Sequence, residues 1–444
     1  MASSTQRLHF EEALAAILAE SRAGERVAEV PIVAAGGLVL AEEIVSDIDM
    51  PAFDRAAMDG FAFRHADADE AALREGLRII GVVAAGPSVA PPASIASAGP
   101  PVPTSLSGAA AGSPAASAIH FGPRDCVKIM TGAPVPPGAD TIIPVEETSG
   151  YAEIGQRVRF QAVPEPGSHI APRGMNLKSG AVVLREGRML QPVEIAMLAS
   201  VGRATVRVHL GPRVAFSATG EELREPGEPL PPGCIRNSNA YNLWSQILNA
   251  RAEPHYLGIL RDRPDELREK IAVGLEDDFL LLSGGVSMGE YDFVPGILTE
   301  LGVELRFQKL FVRPGQPTVF GVRDRRDGHR TLVFGLPGNP ISTLFAFDQY
   351  VAPAIRVFRR HPQPLATLYR GVLTETVRKR EGFLTLVPCI SEWREDRFLL
   401  TPMRPQGSAD IYAARGIDAV GLIPAPGTEA PAGTIIGFRK LHEP

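Results

Sequence analysis

Hydrophobic positions recur at helical spacing at the start of the chain and in short apolar runs later. Leu8, Ala13, Ile17 and Leu18 predict an opening amphipathic helix over Leu8–Ala23. Short β-rich pieces follow, including a strand over Arg78–Ala84, and Asp125–Met130 and Thr141–Val145 read as strands joined by the turn-rich segment Gly132–Gly138. A helix is predicted over Gln191–Ser200. From Arg213 the pattern alternates: strand Val214–Ser217, helix Asn239–Ala250, strand Glu253–Leu260, helix Pro264–Gly274, strand Phe279–Ser283 and a later helix Pro340–Arg356. Such alternation predicts a parallel α/β sheet. Residues 362–444 read as a separate β domain, and no repeat of fixed period is evident.

Composition refines this outline. At 444 residues, 45% hydrophobic and 22% charged, the chain can bury a large core and divides into roughly three domains by length alone. Residues 86–123 are dominated by Pro, Ala, Ser and Gly, which predicts a flexible insertion with too little apolar surface to order itself. A net charge of −6 and a pI near 5.9 argue against a nucleic-acid or anionic-membrane surface, so any basic site is local. Cys126, Cys234 and Cys389 lack metal-site spacing and are expected as buried free thiols. The first twenty residues carry no signal-peptide core, and no apolar run of about 18 residues occurs, so a cytoplasmic protein is expected.

Two apolar strands run directly into glycine-rich turns. The first is Leu280-Leu-Leu-Ser-Gly-Gly-Val-Ser-Met-Gly289, with Ser283, Gly284, Gly285, Ser287 and Gly289; the second is Gly335-Leu-Pro-Gly-Asn-Pro-Ile-Ser342, with Pro337, Gly338, Asn339 and Pro340. Glycine lets backbone N–H groups converge, and a following helix N-terminus adds partial positive charge. Each turn alone is as easily an ordinary strand end, and neither fits the Walker pattern. Together they predict one anion pocket for a phosphorylated small molecule.

Asp49-Met-Pro-Ala-Phe-Asp-Arg-Ala-Ala-Met-Asp-Gly60 resembles the D-x-P-x-x-D-x-S-A-M-D-G signature of the molybdopterin molybdenumtransferases, the MoeA and gephyrin E-domain family. Five further segments agree in order: Lys128–Pro136, Arg173-Gly174 with Gly180, Ser217-Ala-Thr-Gly-Glu-Glu-Leu223, Ser283–Asp292 and Leu336–Ser342. The resemblance implies a multidomain α/β plus β fold. Its parts would be a discontinuous linking domain (1–49 and 170–208), an inserted β domain (50–169), a central parallel α/β molybdopterin-binding domain (209–361) and a C-terminal β-barrel domain (362–444). It also implies a homodimer, insertion of molybdate into the dithiolene of adenylylated molybdopterin with Mg²⁺-dependent release of AMP, and contacts with a molybdopterin adenylyltransferase and molybdoenzyme chaperones.

Residue by residue, Asp262 and Asp292 match the Mg²⁺ carboxylates; Asp262 alone reads equally as the N-cap of the helix at Pro264. Glu222 matches the family's functional acid, which alone would pass for an exposed surface Glu. Asp59 and Thr131 match positions that reach across the dimer, and in isolation each reads as part of a turn or loop. Lys309, Arg313, Arg380 and Ser408 resemble the molybdate-side donors, against a bland reading as solvated surface groups. Five positions depart from the family: Ala57, Asn176, Arg313, Gln316 and Gly382. Arginine is no simple substitute for lysine. These departures keep open a non-catalytic molybdopterin carrier, or a paralogue acting on another oxyanion such as tungstate.

Overall fold

The computed structural model describes residues 7–86, 119–285 and 293–441. The chain divides into two compact units, Ile44–Leu184 and the remainder, Met1–Glu43 with Arg185–Pro444.

The smaller unit is built on a five-stranded sheet in the order Thr141–Pro144, Gly60–Phe63, Asp125–Ile129, Leu77–Val83, Arg157–Val158. Alternation along Gly60–Phe63 sends Phe61 and Phe63 to one core and Ala62 to the other. Gly60 has no substitute here, since a Cβ would lie 1.9 Å from the Ile143 carbonyl oxygen of the neighbouring strand. Of the expected insertion, residues 87–118 lie outside the described residues. Ile119 is buried and Phe121 packs beside it, so the end of that segment belongs to the core.

In the larger unit a six-stranded sheet runs Glu253–Leu260, Arg213–Thr219, Phe279–Ser283, Arg330–Leu336, Val319–Asp324, Glu304–Phe307. The first four strands are parallel, and the last two extend the sheet antiparallel, a hairpin-like edge that sequence reading did not place. Period-two alternation covers both faces. Phe279 and Leu281 pack under the helices Phe10–Glu20, Ser238–Asn249 and Pro340–Ala346, while Leu280 and Leu282 meet Pro264–Gly274 and Val294–Glu300. The expected helix from Pro340 continues through a π turn at Phe347–Val351 into Ala352–Phe358.

Beyond it, Leu384–Arg394, Arg397–Pro402, Tyr369–Leu373, Ile435–Lys440 and Ala419–Ile423 pair in that order, and the last returns to the first, closing a five-stranded barrel around Leu373, Cys389, Leu400 and Phe438. Val312–Arg313 pairs in parallel with Leu384–Thr385 and so ties the α/β sheet to the barrel. Among the described residues no helix is long and apolar enough to cross a membrane.

Candidate active site

The strand order of the larger sheet makes Arg213–Thr219 and Phe279–Ser283 neighbours whose following connections leave to opposite sides. Ligands of open α/β sheets bind outside the carboxyl ends of the strands at such a switch point. A cavity of about 770 Å³ lies there, lined by Thr219, Glu222, Ser283, Gly284, Gly285 and the second glycine turn, Pro337 to Pro340. The two turns face each other closely: a Cβ on Gly338 would sit 3.6 Å from the Gly284 Cα. Gly284, at φ +89°, passes so near the first strand that a Cβ would lie 2.8 Å from the Thr219 carbonyl oxygen.

Asn239, in the first turn of the Ser238–Asn249 helix, holds the turns together. Its side-chain amide donates to Ser283 Oγ at 2.9 Å and to the Gly338 carbonyl at 2.7 Å. Ser283 in turn donates to the Pro337 carbonyl at 3.2 Å. Two buried acceptors, Asn239 Oδ1 and Thr219 Oγ1, line the cavity with no partner among the described residues. Buried polar atoms are rarely left unsatisfied, so these mark a place where a polar ligand belongs.

Glu222 is exposed, with its carboxylate folded against Gly220, where a Cβ would lie 2.5 Å from Glu222 Oε2. Arg261 fixes this loop by donating one guanidinium nitrogen to the carbonyls of Gly220, Glu221 and Leu223, each at 3.1 Å. Asp262 follows directly. The helix N-cap is Arg263, so the N-cap reading of Asp262 does not hold.

A second cavity of about 560 Å³ shares Pro317, Pro337, Gly338 and Asn339 with the first and adds Arg313, Gln316 and Ser408. Ser408 arrives from the barrel, accepting from Asn339 Nδ2 at 2.7 Å, while its carbonyl accepts from the Ile341 N–H. Arg313 and Arg380 both lie 5.2 Å from the centre of the Phe383 ring, so one buried aromatic positions both cations.

The structure thus gathers Glu222, Arg313, Ser408 and the described members of both turns, with Arg380 beside Arg313. Asp262 and the half-buried Lys309 line neither cavity. Ser287, Gly289 and Asp292 lie outside the described residues. In the smaller unit, Asp59 and Thr131 do meet: Asp59 Oδ1 accepts from the Thr131 N–H at 2.6 Å and from its hydroxyl at 2.8 Å. The backbone N–H first, and the hydroxyl second, hold the Asp59 carboxyl below its ordinary range. The signature residues Asp49 and Asp54 are structural. They accept from the Arg173 side chain and backbone N–H at 2.6 and 2.7 Å and so fix the turn before Asn176. Of the thiols, Cys126 and Cys389 are buried and pushed up to about 12 by that burial, whereas Cys234 is half-buried and lines the larger cavity.

Sequence reading missed Asn239, Arg261 and Phe383. The signal for Asn239 was its place behind a second asparagine at a helix start, Asn237-Ser-Asn239. Arg261 and Phe383 carried none.

A mixed α/β sheet with facing glycine turns at its switch point, joined to a small barrel, defines a phosphoryl-ligand-binding fold. The comparisons agree with that class: the profile of the MoeA N-terminal region (domain I and II) matches residues 8–202, and that of a probable molybdopterin binding domain matches residues 215–357. Together these cover most of the chain, which belongs to the molybdopterin molybdenumtransferase family. It is 33% identical over 393 residues to the molybdopterin molybdenumtransferase of Bacillus subtilis, covering 87% of this chain and 83% of that one. To the Haemophilus influenzae molybdopterin molybdenumtransferase it is 32% identical, covering 79% and 78%. A molybdopterin biosynthesis MoeA protein from Pyrococcus horikoshii superposes with a TM-score of 0.74 at 26% identity, covering 99% of this chain and all of the other.

Proposed function

We propose that this chain carries out its family's reaction in molybdenum cofactor biosynthesis, inserting molybdate into the dithiolene of adenylylated molybdopterin with release of AMP. The observation that carries this reading is the pair of glycine turns facing each other at the switch point, with Glu222 on the same cavity and unpartnered Asn239 and Thr219 oxygens between them. The turns suit a phosphate group, and the adjoining cavity with Arg313 and Ser408 suits an oxyanion. Arg380, beside Arg313 on the Phe383 ring, adds to its basic side, and Lys309 is a further cation that the family resemblance assigns to the oxyanion.

Glu222 and Asp262 follow the ends of two paired strands and offer the hard oxygen donors that Mg²⁺ takes; Asp292 is the third carboxylate assigned to the ion. When bound, the cation supplies charge neutralisation at the phosphoanhydride. Asp59 and Thr131 come from the second subunit of a two-fold dimer in this reading, and the protein works in the cytoplasm.

The test is AMP release from adenylylated molybdopterin by the purified protein, with and without molybdate and Mg²⁺. Molybdate-stimulated, Mg²⁺-dependent release is expected. Tight pterin binding with no AMP released would instead identify a carrier.

A further inference from the structure

A cavity of about 630 Å³ opens in the larger unit where the ends of the Ser238–Asn249 and Ala352–Phe358 helices meet the turn at residues 33–37 and the first turn of the Pro192–Ser200 helix. Its charged lining is Arg251, Arg359 and His361, with no Asp or Glu among the described residues. Arg251 is exposed, but Arg359 is buried and forms no ion pair among those residues, although a buried Arg is normally paired.

Arg359 is only 4% exposed. Its terminal nitrogens donate to the carbonyls of Gly37 at 2.6 Å and Ala250 at 3.0 Å, but Nε has no partner. Burial, then Arg251 and Arg356, lower its pKa to about 10, so it remains a cation at neutral pH. In His361, Nδ1 accepts from the Gln363 N–H at 3.0 Å. The ring proton is therefore on Nε2, which is buried and also unpartnered. Two residues that each keep a spare N–H donor thus line one cavity beside a second cation, Arg251.

The backbone adds an independent observation. Arg251 follows its helix at φ +58°, the position helices give to glycine, and lies against Gly37. The helix dipoles account for cations at these two helix ends. They leave the unused Nε–H and Nε2–H unexplained, and an arginine in glycine's conformation is costly unless its side chain is needed.

We propose that this cavity binds the phosphoryl group of a small phosphorylated molecule, held by Arg359 Nε–H, His361 Nε2–H and the Arg251 guanidinium. Its size lies within the range of small-molecule sites and exceeds the need of a bare ion. None of these residues belongs to the candidate active site.

Arg251→Gly tests this cleanly, because it removes the cation while giving the backbone the residue it favours, so the variant folds. Full-length protein is titrated with inorganic phosphate and, separately, with glycerol 3-phosphate, read by thermal shift and ³¹P line broadening. Loss of one charge-assisted contact corresponds to a roughly tenfold weaker midpoint. That weakening is expected in Arg251→Gly and in His361→Phe. A tighter midpoint for the phosphomonoester assigns the site to a carried phosphoryl group, while equal midpoints assign the same contacts to the free ion. Midpoints unchanged in Arg251→Gly and His361→Phe overturn the proposal.

Discussion

Single atoms decide the geometry of the candidate site at Gly284. Its φ of +89° and the 2.8 Å approach of a Cβ to the Thr219 carbonyl mean that any side chain would collide with backbone, which cannot step aside. Gly284→Ala is therefore expected to cost about 1–3 kcal/mol of stability from the strained conformation. The same substitution pushes the first glycine turn away from Gly338, so pterin affinity falls by more than the stability loss accounts for. Calorimetry of unfolding and equilibrium pterin binding on one preparation separate the two effects. Normal binding in a destabilised protein would show that the turn does not shape the pocket. Asn239 works by the same logic from the opposite side, its amide spending both hydrogens on the two turns while its buried oxygen has no partner among the described residues.

Between elements, Asp59 and Thr131 show what paired strands contribute. Gly60 is opposite Ile129 in the antiparallel ladder, so the residue before one strand meets the second residue beyond the other. The Thr131 N–H is the larger cause of the lowered Asp59 pKa and its hydroxyl the smaller. A depressed carboxyl contributes stability that is fully present above the unfolded value, about 3.9, and is lost as pH falls through the lower folded value. Thr131→Val removes only the hydroxyl, so the Asp59 titration followed by ¹³C NMR should move up part of the way toward that value. Catalysis at pH 7 would still see an ionised Asp59. An unmoved titration would refute the assignment of the hydroxyl. The same scale explains what sequence could reveal. Leu280 to Leu282 and Val214 to Ser217 announced buried strands because both faces are covered, and each glycine turn was visible as a local signal. The strands Val319–Asp324 and Glu304–Phe307 escaped notice behind the Pro-Gly-rich stretch 314–317. Asn239 showed only as an asparagine at a helix start, since its meaning depends on Gly338, 99 residues away, arriving beside it through the sheet order.

At the scale of the whole molecule, the residues matched to the family's chemistry fall in two separate units of the fold. Glu222 and the glycine turns belong to one, Asp59 and Thr131 to the other. In a two-fold dimer whose sites are completed across the interface, each site takes Glu222 from one chain and Asp59 from its partner. Asp59→Asn and Glu222→Gln homodimers are then both inactive. A mixed dimer, however, combines the intact Glu222 of the first variant with the intact Asp59 of the second at one of its two sites. Random re-association of equal amounts makes half the dimers mixed, so about a quarter of wild-type AMP release should return. Sites completed within one chain predict no recovery at all, because each chain of the mixed dimer still carries one lesion. The mixing experiment, run after mild dissociation and with the mixed species confirmed by mass, therefore decides which chain supplies Asp59. Zero activity in a verified mixed dimer would place the whole site in one chain.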